Sequence, residues 1–180
     1  KNIKRMLAYS SIAHAGYLLV AIATLGYFTN STVWFYLVAY LFMNLGAFAV
    51  IQYVSQQTTS TEIAAFAGLY KRSPLLAVAM GIFLLSMAGI PGTAGFIGKL
   101  NIFLGAFAVN PGHYVLASIL IGTTVISYVY YFGIMTQMFF RPMYDDIKFT
   151  PSKLPVSLCI VIVVCIGGTI GLGVAPDIAF

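Results

Sequence analysis

Long apolar runs separated by short polar breaks are the feature that decides what this chain can fold into. The runs cover residues 6–28, 33–54, 74–109, 113–140 and 154–174, and a bilayer-crossing helix needs about 20 such residues. Composition agrees. Charged residues make up 7% and hydrophobic residues 61%, whereas a soluble domain carries about 25% charge. The chain therefore cannot cover a water-facing surface, and it is too apolar and too weakly charged to remain disordered. Fifteen per cent aromatics and 17 glycines suit membrane helices, which tolerate Gly and place Tyr and Trp at interfaces. The expected fold is an all-α polytopic membrane protein with about five transmembrane helices.

The third run constrains the architecture most. A continuous helix over 74–109 would be about 50 Å long, against a hydrocarbon core of about 30 Å. That is too long for one straight span and too short for two spans and a turn. Near its middle lies Gly89-Ile90-Pro91-Gly92-Thr93-Ala94-Gly95. Pro91 removes a backbone donor, and Gly89, Gly92 and Gly95 permit non-helical angles. One span broken near Pro91 is the simplest reading. Irregular backbone at membrane depth survives only when buried in protein or lining a wet cavity.

The basic residues support that reading. With five spans, Lys1, Lys4, Arg5, Lys71, Arg72, Arg141, Lys148 and Lys153 fall on one side, and the opposite loops hold no Lys or Arg. The positive-inside rule makes the basic side cytoplasmic, so the nine basic residues report topology and not nucleic-acid binding. On the same side, Thr61 is expected to cap a short surface helix with Ile63, Phe66 and Leu69 or Tyr70 on its apolar face. The polar stretch Thr29-Asn30-Ser31 is read as a turn on the other side. Cys159 and Cys165 share one helix on different faces, which suits packing and not a disulfide. The opening Lys1-Asn2-Ile3-Lys4-Arg5, without Met or a signal peptide, reads as part of a longer membrane protein.

One basic residue does not belong to the loops. Lys99 follows the break in Gly98-Lys99-Leu100-Asn101, with apolar residues on both sides. A lysine inside a span costs roughly 2.5–3.5 kcal/mol on insertion scales and is a functional hypothesis by default. Snorkelling is the competing reading, but Val109 is about 15 Å away along a helix. The four acids, Glu62, Asp145, Asp146 and Asp177, all lie in loops or the tail. The charge must then rest on water, on the open backbone of the break, or on chain outside this sequence. Burial disfavours the ammonium relative to the amine, which suits a group that takes up and releases a proton. His14 lies mid-span and can pass protons between its two ring nitrogens; hydrogen bonding to a neighbouring helix is the simpler alternative. Ser10, Ser11 and Tyr40 could hold water beside it, or serve as packing groups. His113 reads as interfacial. No metal-ligand spacing, Walker A segment, dinucleotide turn or intramembrane acid pair is present in the sequence.

The stretch Lys4-Arg5-Met6-Leu7-Ala8-Tyr9-Ser10-Ser11-Ile12-Ala13-His14-Ala15-Gly16-Tyr17, together with Gly89-Ile90-Pro91-Gly92-Thr93-Ala94-Gly95-Phe96-Ile97-Gly98-Lys99, resembles the antiporter-like membrane subunits of respiratory complex I, the proton-translocating NADH–quinone oxidoreductase. Tyr40 to Phe48 and Ala67 to Pro74 look most like the N-subunit (subunit 2) branch of that family. The resemblance implies the last five helices of a longer antiporter-like subunit, with the broken helix as the family's twelfth. It places Lys99 where the family carries Lys or Glu for proton transfer, Lys4 on a tenth-helix lysine, and His14 on a histidine found in some members. Where several members have an eleventh-helix histidine, this sequence has Tyr40. The family's first repeat is absent.

The implied function is proton translocation across an energy-conserving membrane by a subunit that performs no redox chemistry of its own. Proton transfer would run through Lys99, His14, Lys4 and Tyr40. The chain would bind no cofactor, with NADH, flavin, iron–sulfur clusters and quinone on partner subunits. Its partners would be other membrane-arm subunits, including neighbouring antiporter-like ones, and the lipid bilayer, with no nucleic acid. The expected location is the bacterial inner (plasma) membrane or an organelle membrane. The alternatives are a subunit of a multi-subunit Na⁺/H⁺ antiporter and a purely structural membrane-arm subunit.

The charge asymmetry gives a direct test. Single cysteines at Lys1, Lys71 and Lys148, in a background lacking Cys159 and Cys165, should share one accessibility to an impermeant thiol reagent. A split among the three would defeat the five-span topology.

Overall fold

In hydrocarbon every backbone N–H and C=O must find a partner within the chain, and a helix satisfies them locally. The computed structural model describes residues 2–24, 29–109, 112–142 and 154–176, and its elements follow from that constraint. They are α1 (Ile3–Ala23), α2 (Thr29–Thr58), a 3₁₀ turn (Ile63–Phe66), α3 (Leu69–Arg72), α4 (Pro74–Ala88), α5 (Ala94–Ala108), α6 (Tyr114–Phe140) and α7 (Val156–Val174). Helices α1, α2, α6 and α7 are long and apolar enough to cross a membrane; α4 and α5 are shorter apolar helices. At 15 residues each, α4 and α5 are about 22 Å long, and neither alone crosses a core of about 30 Å. Large apolar side chains such as Ile12, Leu19, Leu41, Val129 and Val163 are exposed on the outer faces, as a lipid-solvated surface requires.

Helix α2 is the hub, packing on α1, α4, α5 and α7. Its Phe35, Met43, Ala47 and Ile51 are fully buried and join Met80, Phe83 and Leu84 of α4 and Tyr131 and Met138 of α6 in the main core. Three tethers set one end of the bundle. Ile3 N–H donates to the Thr61 carbonyl at 2.9 Å, and Gly68 N–H donates to the Gln137 carbonyl at 3.2 Å. Asn2 Nδ2 donates to Thr61 Oγ1 at 2.6 Å. These bring together the start of α1, the 59–73 connection and the end of α6, so Lys4, Arg5, Lys71, Arg72 and Arg141 share one end. Lys1, Lys148 and Lys153 lie outside the described residues.

Three local expectations need correction. Thr61 does not cap a helix, because its hydroxyl and carbonyl are both engaged by the start of α1; Glu62 stands at the N-cap instead, with no side-chain cap bond. The expected surface helix is two short pieces separated at Ala67-Gly68. Its apolar face is partly as expected: Phe66 and Leu69 are buried against the core, while Tyr70 is exposed. The polar segments flanking the second run are helical. Helix α2 starts at Thr29 and runs through Gln56, Gln57 and Thr58, with Thr58 Oγ1 donating to the Val54 carbonyl at 2.8 Å. At 30 residues it is about 45 Å long, so its ends leave the hydrocarbon, where polar side chains are no obstacle.

The break is a well-defined stop and restart. Gly89 has φ +90°, a left-handed angle that glycine adopts without a Cβ penalty. Its N–H bonds to the Ser86 carbonyl and Ile90 N–H to the Leu85 carbonyl, both at 3.0 Å, which is the paired closure of a Schellman stop. Gly92 has φ +88°. Thr93 Oγ1 then donates to the Ile90 carbonyl at 2.7 Å, and α5 begins at Ala94. The first turn of α5 lies against the last turn of α4, where Gly95 N–H donates to Ser86 Oγ at 3.1 Å. A Cβ on Gly95 would overlap the Ser86 carbonyl. Gly95→Ala should therefore push the two half-helices apart and cost about 1–3 kcal/mol. The check is thermal unfolding of the detergent-solubilised full-length subunit. Gly16→Ala, where an added Cβ meets nothing within 4 Å, should leave the melting temperature near native.

Candidate functional site

A helix leaves its last four carbonyls without intrahelical donors. In α4 these are Leu85, Ser86, Met87 and Ala88. The Schellman closure satisfies the first two. The other two are taken by one side chain: Lys99 Nζ donates to the Met87 carbonyl at 2.8 Å and to the Ala88 carbonyl at 3.0 Å. Lys99 projects from the second turn of α5, one turn beyond Gly95, so the overlap of the half-helices carries its amine to the end of α4. A cation there also meets the negative end of the helix dipole, worth about 0.3–1 kcal/mol and up to about 2 in partly buried settings. The side chain is 5% exposed, and its nitrogen stands 5.0 Å from the centroid of the Tyr17 ring, within cation–π range. The open backbone of the break is thus what holds the intramembrane lysine.

Lys99 forms part of the wall of a cleft of about 230 Å³ between α5 and α6, with Gly89, Phe96, Phe103, Thr124 and Tyr128. Thr124 Oγ1 lies 3.5 Å from Tyr17 Oη, so Tyr17 faces both the lysine and this wall.

On the other side of Tyr17 lies a buried polar column. His14 is 2% exposed. Its Nδ1 is 2.7 Å from Tyr36 Oη and its Nε2 is 3.2 Å from Tyr131 Oη; Tyr131 Oη is in turn hydrogen-bonded to Ser10 Oγ. The Tyr17 ring meets His14 edge-on with centroids 5.6 Å apart, and the Tyr40 ring lies tilted over it at 4.7 Å. Ser10 and His14 share a face of α1 because they are four residues apart. Tyr36 packs against Gly98, the residue before Lys99.

The structure therefore brings Lys99, His14 and Tyr40 into one region, with Gly89, Pro91, Gly92 and Gly95 forming the break beside it. Lys4 is not part of the cluster. It sits in the first turn of α1, about 15 Å along the helix from His14. Ser11 Oγ donates to the Ala8 carbonyl at 2.7 Å, and its side chain is also hydrogen-bonded to Tyr40 at the edge of the cluster. His113 stands at the N-cap of α6, half-buried, with its N–H on the Ala106 carbonyl at 2.9 Å. Sequence reasoning missed Tyr17, Tyr36, Tyr131 and Ser86. A tyrosine hydroxyl placed well inside a span needs a partner, and that requirement was the available signal for Tyr36 and Tyr131.

The model of a family described as NADH:quinone oxidoreductase/Mrp antiporter, TM, matches residues 1–127. The NADH-quinone oxidoreductase subunit N of Anoxybacillus flavithermus is 62% identical over 180 residues, covering 100% of this chain and 35% of that protein. The subunit N of Bacillus anthracis is 55% identical over 179 residues, covering 99% and 35%. A chain of respiratory complex I from Thermus thermophilus with bound aureothin superposes with a TM-score of 0.82 at 34% identity, covering 98% of this chain and 39% of that one. A chain of the membrane-bound sulfane sulfur reductase, an archaeal respiratory membrane complex, gives 0.84 at 30% identity, covering 98% and 35%. The present chain thus spans 35% of the length of these two curated relatives.

The polar column makes a stability prediction. His14→Ala leaves two buried tyrosine hydroxyls without their imidazole, at a cost of about 1–3 kcal/mol. The melting temperature of the full-length subunit should fall accordingly. His14→Gln can accept from one hydroxyl and donate to the other, and should recover most of the loss.

Proposed function

Because the chain belongs to the NADH:quinone oxidoreductase/Mrp antiporter transmembrane family, we propose that it is the C-terminal part of subunit N of a proton-translocating NADH–quinone oxidoreductase, and that Lys99 is its proton carrier. The observation that carries this reading is the placement of the Lys99 amine on the two terminal carbonyls of α4, at membrane depth. The geometry holds both protonation states. An ammonium has three N–H donors and a neutral amine has two. Either can keep the Met87 and Ala88 bonds, and in the amine the remaining site becomes a lone pair able to accept a proton. The charged state gains from the carbonyls and the helix end; the neutral state avoids the cost of a buried charge. A change in hydration or in a nearby charge can therefore load or unload the group while the break stays intact.

The subunit carries no electrons in this reading. Electron transfer from NADH to quinone, with its flavin and iron–sulfur clusters, belongs to other subunits, and the free energy arrives through the membrane arm. Neighbouring membrane-arm subunits are its partners, and the bacterial inner membrane is its location. The whole-chain likeness to subunit N proteins favours this reading over an Mrp-type Na⁺/H⁺ antiporter subunit.

Substituting Lys99 in the full-length subunit of the assembled complex tests the proposal. Lys99→Arg retains a cation for the α4 carbonyls but stays protonated throughout the working range. The complex should assemble, while the proton-to-electron ratio in sealed vesicles falls to less than half the native value. Lys99→Met, which removes both cap and proton, should lower assembly as well. Native pumping by the arginine variant would mean that a fixed charge suffices and that Lys99 carries no proton.

A further inference from the structure

The hydroxyls nearest His14 are matched to its ring nitrogens or to other hydroxyls, and one connected line runs through them, with Tyr130 joining it as a branch at Ser10 and Tyr131. Ser10 Oγ meets Tyr131 Oη. Tyr131 Oη meets His14 Nε2 at 3.2 Å, and His14 Nδ1 meets Tyr36 Oη at 2.7 Å. Ser10, His14, Tyr36 and Tyr131 are all 4% exposed or less. The line draws on α1, α2 and α6, so it is a feature of the packed bundle and not of one helix. Its Tyr36 end packs on Gly98, beside Lys99. Helix α1 runs from the basic end inwards, so Ser10 is the member nearer that end. The line therefore advances through the membrane toward the break.

We propose that Tyr131 and Tyr36 are proton-relay residues, and that Ser10–Tyr131–His14–Tyr36 is a proton wire delivering to the region of Lys99. It deepens the proposed function and rests on it. Neutral imidazole donates from one nitrogen and accepts at the other, so the two tyrosines must play opposite roles. In one polarity Ser10 donates to Tyr131, Tyr131 donates to Nε2, and Nδ1–H donates to Tyr36. A hydronium ion on the basic side gives a proton to Ser10 Oγ and is left as water, and Ser10 passes its own proton to Tyr131 Oη. Tyr131 passes its proton to Nε2, Nδ1 releases its proton to Tyr36 Oη, and Tyr36 gives its proton to a second water. One proton enters and one leaves, every member ends neutral, and no electron moves. The polarity is then reversed: Nε2 carries the hydrogen, and both tyrosine hydroxyls point the other way. Restoring the first polarity takes rotation of the hydroxyls and a change of imidazole tautomer, in which Nδ1 takes up a proton and Nε2 releases one. A column that only packs the helices together would hold one polarity and would need no reset.

The test uses Tyr131→Phe and Tyr36→Phe, which keep the ring and delete the relaying oxygen. Each is placed in the full-length subunit of the assembled complex in sealed vesicles. Proton uptake per electron is the readout, and uncoupled NADH oxidation gauges assembly. Each variant should lower the proton-to-electron ratio to less than half the native value. His14→Gln, which can hold both hydroxyls but cannot exchange its hydrogen between two nitrogens, should do the same even if it restores the melting temperature. Native ratios in the assembled phenylalanine variants would overturn the wire. Should either fail to assemble, Ser10→Ala decides, since it deletes one oxygen from the entry end: a reduced ratio supports the wire and a native ratio overturns it. Lys99→Arg separates the two proposals. If it loses pumping while the phenylalanine variants keep it, the wire alone is wrong; if it pumps normally, the carrier role of Lys99 is wrong.

Discussion

One lysine closes one helix end, and the middle of the bundle depends on that closure. Stopping α4 inside a bilayer exposes four carbonyls where water is scarce, and each unsatisfied group there is costly. Two are closed by the backbone turn at Gly89 and Ile90. The Met87 and Ala88 carbonyls are closed from the second turn of α5 by Lys99. The arrangement is reciprocal: the break supplies acceptors for a charge with no other place to rest, and the charge makes the break tolerable. The glycines serve this exchange. Gly89 turns the chain, and Gly95 lets the two half-helices overlap so that Lys99 reaches back.

The rest of the bundle keeps polarity away from lipid by the same means. Ser86 accepts from Gly95, the Tyr36 and Tyr131 hydroxyls pair with the ring nitrogens of His14, and Asn2 ties the start of α1 to Thr61. Outside these pairs the helices present Leu, Ile, Val and Phe to their surroundings. Among the described residues, the remaining basic side chains gather at the end where the connections are polar. Function and stability are therefore hard to separate at the centre, because the groups suited to moving protons also satisfy buried backbone and buried hydroxyls.

The membrane fold and the position of the break were legible because they follow from quantities a sequence displays: run length, the placement of charge, and Pro-Gly spacing. Lys99 was legible as an unsolvated charge. Its partner was not, since which carbonyls it meets depends on how far α5 overlaps α4, and that is set by the contact of Gly95 with Ser86. His14 stood out by residue type, but Tyr36 and Tyr131 did not, because they come from other helices and resemble the many interfacial tyrosines. Thr61 misled for a related reason. Its capping capacity was real, but a distant residue, Asn2, had already engaged it.

The depth of the break has an electrical consequence. A membrane potential falls across the hydrocarbon, and moving one elementary charge through all of it changes the energy by about 2.3 kcal/mol per 100 mV. Lys99 lies at the end of a half-helix that stops partway through. A proton reaching it from either face crosses only part of that drop and meets the remainder on leaving. The occupancy of the lysine thus responds to voltage as well as to proton concentration. The length of α4 helps set what share of the field each half of the journey must work against.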